Sequence, residues 1–351
     1  MDAIQDEALQ VAETAARLTF GTKLKRVPRV IFSKISLPVL SVVAIVVFIY
    51  GSTVDVLAKW NVAAEMNGGH SQLLSFWSLE MHEYILSATV AVGMVMYGCC
   101  VYRDPGKVPG GYQPDPESLQ ARGAVVERKR KGGSRFCKKC VRHKPPRTHH
   151  CRQCNKCVLR MDHHCVWVNN CIGHRNYKSF FLFLLYITIS CWHASGLLVS
   201  HVWFASGDSS DSSNEKYKKY AASSVPIGIA EVFSLTLAVP LTLALTLLLA
   251  WHVYLVSHNK TTIEHYEGVR SNHNSENGLP PLHSVSQKTN HPYSLGLRAN
   301  LREILGNRVI CWLAPGCSIA GDGLAFANAN DYATWKATKE RKEDELTFVG
   351  E

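Results

Sequence analysis

The chain has 351 residues, 46% of them hydrophobic, and carries 38 Lys and Arg against 28 Asp and Glu, a formal net charge of +10. The excess is local, because residues 103–178 alone hold 18 basic and 5 acidic side chains. Basic charge confined to one loop between apolar segments argues against a nucleic-acid partner, since those cations sit within reach of lipid headgroups.

The chain opens with about 20 residues that alternate acids and apolar groups like a short amphipathic helix, followed by Lys23, Lys25, Arg26, Arg29 and Lys34. No apolar core of a cleavable signal peptide precedes them. Four segments then lack Asp, Glu, Lys and Arg: Ile35 to Val54, Tyr84 to Val101, Ser179 to Ser206 and Val232 to Ser257. A hydrocarbon core of roughly 30 Å needs about 20 helical residues, so each is predicted to cross a bilayer. The second is the shortest and is expected to borrow flanking residues. The connection between the second and third spans is strongly basic, whereas the other two hold one lysine (Lys59) and three (Lys216, Lys218, Lys219). Basic loops stay cytosolic. The predicted fold is therefore membrane α-helical: four transmembrane helices with a cytosolic zinc-binding cysteine-rich module between the second and third. The expected organisation is a cytosolic N-terminal segment (1–34), two spans with a lumenal loop (35–102), the module (103–178), two more spans with a lumenal loop (179–257) and a cytosolic tail (258–351).

Within the basic loop, Cys137 to Cys171 contains seven of the chain's twelve cysteines. The spacing is Cys137-x2-Cys140, His150-Cys151-x2-Cys154-x2-Cys157 and His164-Cys165-x5-Cys171. A reducing cytosol disfavours disulfides, which leaves metal binding as the use of these thiols. Structural zinc takes four Cys or His ligands, so two ions would occupy eight of these nine groups and leave one. Cys165 is the best candidate for the spare thiol, because His163 could take its proton and Asp162 could orient the ring. The plainer reading is that every cysteine serves zinc and one ligand is surplus. Lys144, Arg147 and Arg175 are candidates for a phosphate-bearing ligand, while Arg128 to Lys131 reads as a topology and lipid signal.

These residues resemble the DHHC protein S-acyltransferases, the palmitoyltransferases. The likeness rests on Asp162-His163-His164-Cys165, Pro145-Pro146-Arg147 before His150-Cys151, Asn169-Asn170-Cys171, and Asn176 followed by Phe180. Asp104-Pro105-Gly106 resembles the family's DPG motif, Thr261-Thr262-Ile263-Glu264 its TTxE motif, and Pro292-Tyr293 with Asn300 its C-terminal element. Leu305 stands where members commonly have an aromatic residue, and the stretch after the fourth span is similar to plant-type members. The resemblance implies one zinc on Cys137, Cys140, His150 and Cys157 and a second on Cys151, Cys154, His164 and Cys171. It implies Cys165 as the nucleophile, assisted by His163 and Asp162. Palmitoyl-CoA or another long-chain acyl-CoA would be the donor, with acyl transfer through Cys165 to membrane-associated proteins bearing cytosolic cysteines. Lys144, Arg147 and Arg175 would then meet the CoA phosphates. Trp167 would pack over the acyl chain or else anchor at the interface. The Golgi is the favoured compartment, with the endoplasmic reticulum or plasma membrane as alternatives.

Two other functions fit parts of the pattern. A membrane-anchored zinc-domain ubiquitin ligase would share C-x2-C pairs and histidines, but it needs a closing C-x2-C pair where Cys165 and Cys171 have five residues between them. A catalytically silent scaffold would be expected to carry a damaged tetrad, and this one is intact.

Overall fold

The computed structural model describes residues 34–66, 78–121, 124–127, 134–205, 227–269, 291–315, 321–329 and 332. The N-terminal amphipathic segment, the basic residues from Lys23 to Arg29, the cluster Arg128 to Lys131 and the loop lysines Lys216, Lys218 and Lys219 lie outside them.

Four long helices dominate: α1 (Leu37–Met66), α2 (Leu79–Tyr102), α4 (Tyr177–Ala205) and α5 (Ile229–Ser257), with the short α3 (Pro116–Ala121) between α2 and the module. Their sequences are runs of Leu, Val, Ile, Ala and Phe, and a helix satisfies its own backbone bonds, as hydrocarbon requires. Each has a stretch long and apolar enough to cross a membrane: Leu37–Val62, Leu79–Tyr102, Tyr177–Trp203 and Ile229–Ser257. The chain is thus an integral multi-pass membrane protein.

Helix bounds differ from the charge-free segments for identifiable reasons. Helix α1 continues past Val54 because Asp55 and Lys59 pair one turn apart at 2.7 Å, and Lys59 also pairs with Glu231 at the start of α5. Helix α2 does borrow flanking residues. Ser78 caps it by accepting from Met81 N at 3.3 Å, and Leu79 to Glu83 add more than a turn.

Helix α4 is the spine of the bundle, 56% buried in its apolar window against 17% for α5. It packs between α2 and α5. Phe180, Leu182, Phe183, Leu184 and Ile187 of α4 meet Met96, Tyr97, Cys100 and Val101 of α2 in one core that also encloses Cys165. Hydroxyl pairs tie the spans laterally: Ser52 with Ser234 at 2.7 Å, Ser195 with Thr242 at 2.9 Å and Thr89 with Ser190 at 2.9 Å. In lipid, small polar groups of this kind hold helices together where the hydrophobic effect cannot.

Between α2 and α4 the chain folds into three antiparallel hairpins: β1 (Phe136–Cys137) with β2 (Arg142–His143), β3 (His149–Cys151) with β4 (Lys156–Val158), and β5 (His163–Cys165) with β6 (Asn170–Ile172). Strands of two or three residues cannot stand alone, so this module needs other ties. Some come from the tail. Helix α6 (Thr262–Glu267) follows α5, and α7 (Leu297–Leu305) packs on α5 through Asn300, whose Nδ2 donates to Ser257 O at 2.7 Å. Leu305, the departure from the family pattern, is 5% exposed and belongs to the main core. Residues 321–329 return to the module, where Val125 N donates to Phe326 O at 3.0 Å, and are tied to the tail by Ala329 N donating to Pro292 O at 2.8 Å.

Candidate active site and metal centres

The hairpins create two four-donor sets. Cys137, Cys140, His150 and Cys157 form one; Cys151, Cys154, His164 and Cys171 form the other, with all donor atoms of a set within 4.8 Å of one another. The strand register causes this. His150 lies opposite Cys157 in the second hairpin, and His164 lies opposite Cys171 in the third. His150 Nδ1 is 3.5, 3.2 and 3.8 Å from the sulfurs of Cys137, Cys140 and Cys157. His164 Nδ1 is 3.5, 3.4 and 3.7 Å from those of Cys151, Cys154 and Cys171. A tetrahedral zinc with Zn–S near 2.3 Å and Zn–N near 2.0 Å requires an N···S edge of about 3.5 Å. Both sets fit zinc.

Strand β5 splits its two histidines by alternation. His164 faces the second metal set. His163 points the other way and donates from Nδ1 to Asp162 Oδ2 at 2.7 Å. Asp162 is fully buried and accepts two further bonds from the residue that opens α6: Thr262 N to Oδ1 at 2.9 Å and Thr262 Oγ1 to Oδ2 at 2.8 Å. Burial would raise the Asp162 carboxyl, but the bond and charge of His163, with help from His252 and the Thr262 amide, hold it below the usual carboxylate range. Burial likewise opposes the charge on His163, yet its bonds to Asp162 and Cys165 push it up to about 9. The ring is walled by Phe180 of α4, edge-on at 5.3 Å, and His252 of α5 at 6.2 Å.

Cys165 ends β5 and is 8% exposed, set in the apolar core with Tyr97 and Val168. The next residues make a single 3-10 turn, Val166–Val168, closed by Asn169 in the left-handed region. Two contacts fix that turn to α2. Tyr97 OH donates to Trp167 O at 2.8 Å, and Asn170 Nδ2 reaches Cys100 O, Val101 O and Arg103 O at 3.0, 3.3 and 2.9 Å, capping the last carbonyls of the helix.

The flanking motifs are joints. Asp104 Oδ1 accepts from Gly106 N at 2.8 Å, Pro105 O from Arg175 N at 3.0 Å, and Gly106 O from Leu159 N at 2.9 Å. Gly106 has φ +116, and an added Cβ would lie 3.2 Å from Leu159 Cβ, so glycine is required by both backbone and space. Thr261 and Glu264 form a reciprocal capping box that starts α6 and so delivers Thr262 to Asp162.

Arg147 corrects an expectation. It is 1% exposed and fully engaged, so it does not meet a phosphate. Its Nε and Nη2 each bond Glu264 at 2.7 Å, Nη1 and Nη2 bond Asn259 at 3.0 and 2.7 Å, and the rings of Tyr293 and Phe326 flank it at 4.2 and 5.0 Å. Lys144 is half-buried beside a small cleft with Tyr112, Glu127 and Arg135, Arg175 is exposed, and the Trp167 side chain is 57% exposed. Asn259, Phe326, His252 and Tyr97 escaped sequence reasoning. Their neighbours in sequence carry no signal, since each acts on a residue at least 70 positions away.

Comparison with known proteins agrees with this geometry. A family model described as DHHC palmitoyltransferase matches residues 130–269. A protein named probable protein S-acyltransferase 16, from Arabidopsis thaliana, is 38% identical over 297 residues, 84% of this chain and 94% of that relative. Probable protein S-acyltransferase 15 of the same plant is 36% identical over 253 residues, 72% of this chain and 90% of its own. A palmitoyltransferase PFA4 of Mycosarcoma maydis is 36% identical over 252 residues, 67% of this chain and 50% of its own.

Proposed function

The chain belongs to the DHHC palmitoyltransferase family and is a DHHC-type protein S-acyltransferase, and from that premise we propose that Cys165 carries the acyl group, with His163 as proton acceptor and Asp162 as the residue that orients it. The observation that carries the assignment is the Asp162–His163 bond of 2.7 Å, locked from behind by Thr262 and placed two residues from the one cysteine of the module outside both metal sets.

The reaction is a thioester exchange in two halves. The Cys165 sulfur, its proton passed to His163, attacks the carbonyl carbon of a long-chain acyl-CoA; the carbon–sulfur bond to CoA breaks, and the CoA thiolate leaves with the proton returned by His163. A cysteine of a target protein then repeats the exchange on the Cys165 thioester. His163, held near 9, is basic enough to accept a thiol proton, and Asp162 fixes the tautomer and offsets the charge. Two structural zinc ions would hold the hairpins, on the residues of the two donor sets, and supply no step of the exchange. The module and both termini would face the cytosol, as the basic loop favours. The acyl chain would lie among the spans, with α4 and α5 helping to line its site, where roughly 0.8 kcal/mol per buried methylene retains it. Lys144 and Arg175 would meet the CoA phosphates, and Trp167 would cover the chain near the thioester. Targets would be membrane-associated proteins with cysteines near the cytosolic surface.

The test is incubation of the detergent-solubilised protein with labelled palmitoyl-CoA, beside Cys165→Ala, followed by neutral hydroxylamine. Hydroxylamine-labile label on the native chain and none on the variant is expected; equal label on a well-folded, zinc-replete variant would move the nucleophile elsewhere.

A further inference from the structure

At the cytosolic foot of α1 a cleft of about 560 Å³ separates the first span from the third hairpin, lined among others by Lys34, Ser36, Gln153, Lys156, Val166 and Asn169. It lies beside the turn that follows Cys165, and its polar groups are underused. The Lys34 ammonium, with three N–H donors, makes one described bond, to Asn169 O at 3.5 Å. Lys156 is 3.8 Å from Asp104, but those side chains are 32% and 46% exposed, and a pair so open to water is weak. Asp104 does not line the cleft, and its other oxygen is taken by the Gly106 amide. The Ser36 hydroxyl is buried without a partner. The start of the 30-residue helix α1 adds the positive end of its dipole. Against these cations stand Asp104 and the second metal set, whose Cys154 and His164 also line the cleft and whose three thiolates around a divalent ion would leave one net negative charge. One ammonium offsets that set, and the other faces only Asp104, half-exposed and screened by water.

The surroundings say what kind of anion fits. The membrane-crossing stretch of α1 begins at Leu37, which places the cleft at headgroup level. Its apolar lining is Pro38 and Val166, the latter 51% exposed, and Leu37 and Leu40 beside Pro38 in sequence are 81% and 54% exposed. A cationic recess below an apolar skirt suits a ligand with an anionic head and a hydrocarbon tail.

We propose that this cleft binds the phosphate of an anionic phospholipid. The bound lipid ties α1 to the turn after the nucleophile, adding to the link already made by Asn169 Nδ2, which donates to Lys34 O at 3.3 Å. The site is separate from that of the transferred acyl chain, and acyl transfer then depends on lipid composition.

The experiment is a lysine-acetylation footprint, read by mass spectrometry, on the full chain in phosphatidylcholine nanodiscs with or without phosphatidic acid, and in phosphatidylcholine with added inorganic phosphate. Phosphatidic acid is expected to slow modification of Lys34 and Lys156 by about fivefold and to leave the exposed Lys138 and Lys139 of the first hairpin unchanged. Equal protection of all four lysines would reduce the effect to general surface attraction and overturn the site. Protection by phosphate alone would make it a plain anion site and overturn the lipid. Lys34→Gln/Lys156→Gln should retain two zinc ions and its activity in phosphatidylcholine while losing any stimulation by phosphatidic acid. Because the footprint reads lysine reactivity and not acylation, its outcome is independent of the assignment of Cys165.

Discussion

Hairpins β3–β4 and β5–β6 are two versions of one design, and their difference is what supports the proposed assignment of Cys165 and His163. Thr148-His149-His150-Cys151 in the first corresponds to Asp162-His163-His164-Cys165 in the second. His150 pairs with Cys157 and His164 with Cys171, and each turn is closed by an asparagine in the left-handed region, Asn155 at φ 49 and Asn169 at φ 47. Cys151 and Cys165 therefore occupy equivalent places. Cys151 is committed to the second donor set, which joins its hairpin to the next. No further hairpin follows β6, because the chain enters α4, so Cys165 has no set to join and faces the apolar core. The proposed nucleophile occupies a ligand position left over when the series of hairpins ends. The second difference is Thr148 against Asp162. Burial, with Arg135 and Lys144 nearby, pushes His149 down to about 4, whereas His163 with its carboxylate stands at about 9.

Exchanging serine for cysteine at the two equivalent positions should produce the largest contrast. Cys165→Ser should lose all autoacylation and keep two zinc ions per chain, while Cys151→Ser should lose an ion and with it the fold of the module. Zinc analysis alongside the hydroxylamine assay separates the two, and equal zinc loss would mean that Cys165 is a ligand after all. Next in size, Asp162→Thr makes the third hairpin a copy of the second. His163 then loses the partner that holds it up, and autoacylation should fall by about 10²- to 10⁴-fold, the usual value of a positioned proton acceptor. A stability signature accompanies it. His163 is raised from 6.5 to about 9 in the folded chain, so its contribution is complete below about 6.5 and disappears as pH rises through 9. Thermal melting between those values should therefore decline with pH more steeply in the native protein than in Asp162→Thr.

Thr262→Val acts more gently on the same side of the comparison. It removes the hydroxyl bond to Asp162 Oδ2 and keeps the amide bond to Oδ1. A hydrogen bond to a charged group contributes about 1.5–3 kcal/mol, so a loss of roughly ten- to a hundredfold in autoacylation rate, with zinc unchanged, is expected in single-turnover measurements. An unchanged rate would show that the amide alone orients the carboxylate.

How far the sequence reveals this arrangement depends on the range of each interaction. Metal ligation is local and geometric, since tetrahedral coordination imposes short, regular spacings, so the nine candidate groups and the four spans could be read directly, whereas the interleaved division into two sets followed only from the family resemblance, because it depends on which hairpins lie side by side. The hairpin repeat was also open to reading, in the recurrence of His-His-Cys followed by cysteine six residues on. Arg147 misled because it sits among basic residues in a basic loop, while its carboxylate, Glu264, is 117 residues away and reaches it only after two spans have been placed. The C-terminal end of α1 extends beyond its charge-free segment for a similar reason, because Lys59 is tolerated there through Glu231 of α5, 172 residues later.

The smallest effect sharpens the contrast most. His149 and His163 are the same residue in the same strand position, differing in what stands before them. If position alone made a proton acceptor, replacing either would be costly. If the carboxylate makes it, only one replacement should matter. His149 is uncharged at neutral pH, with burial and two nearby cations holding it far below the range where it could keep a proton. His149→Phe preserves a planar ring in a half-buried site and should change the maximal autoacylation rate by less than about twofold, as is usual for a volume-conserving change away from the chemistry. His163→Phe should lose about the same 10²- to 10⁴-fold as removal of the carboxylate. The pair of rates, measured at saturating acyl-CoA, isolates what Asp162 contributes, because strand register and flanking metal ligands are common to both hairpins.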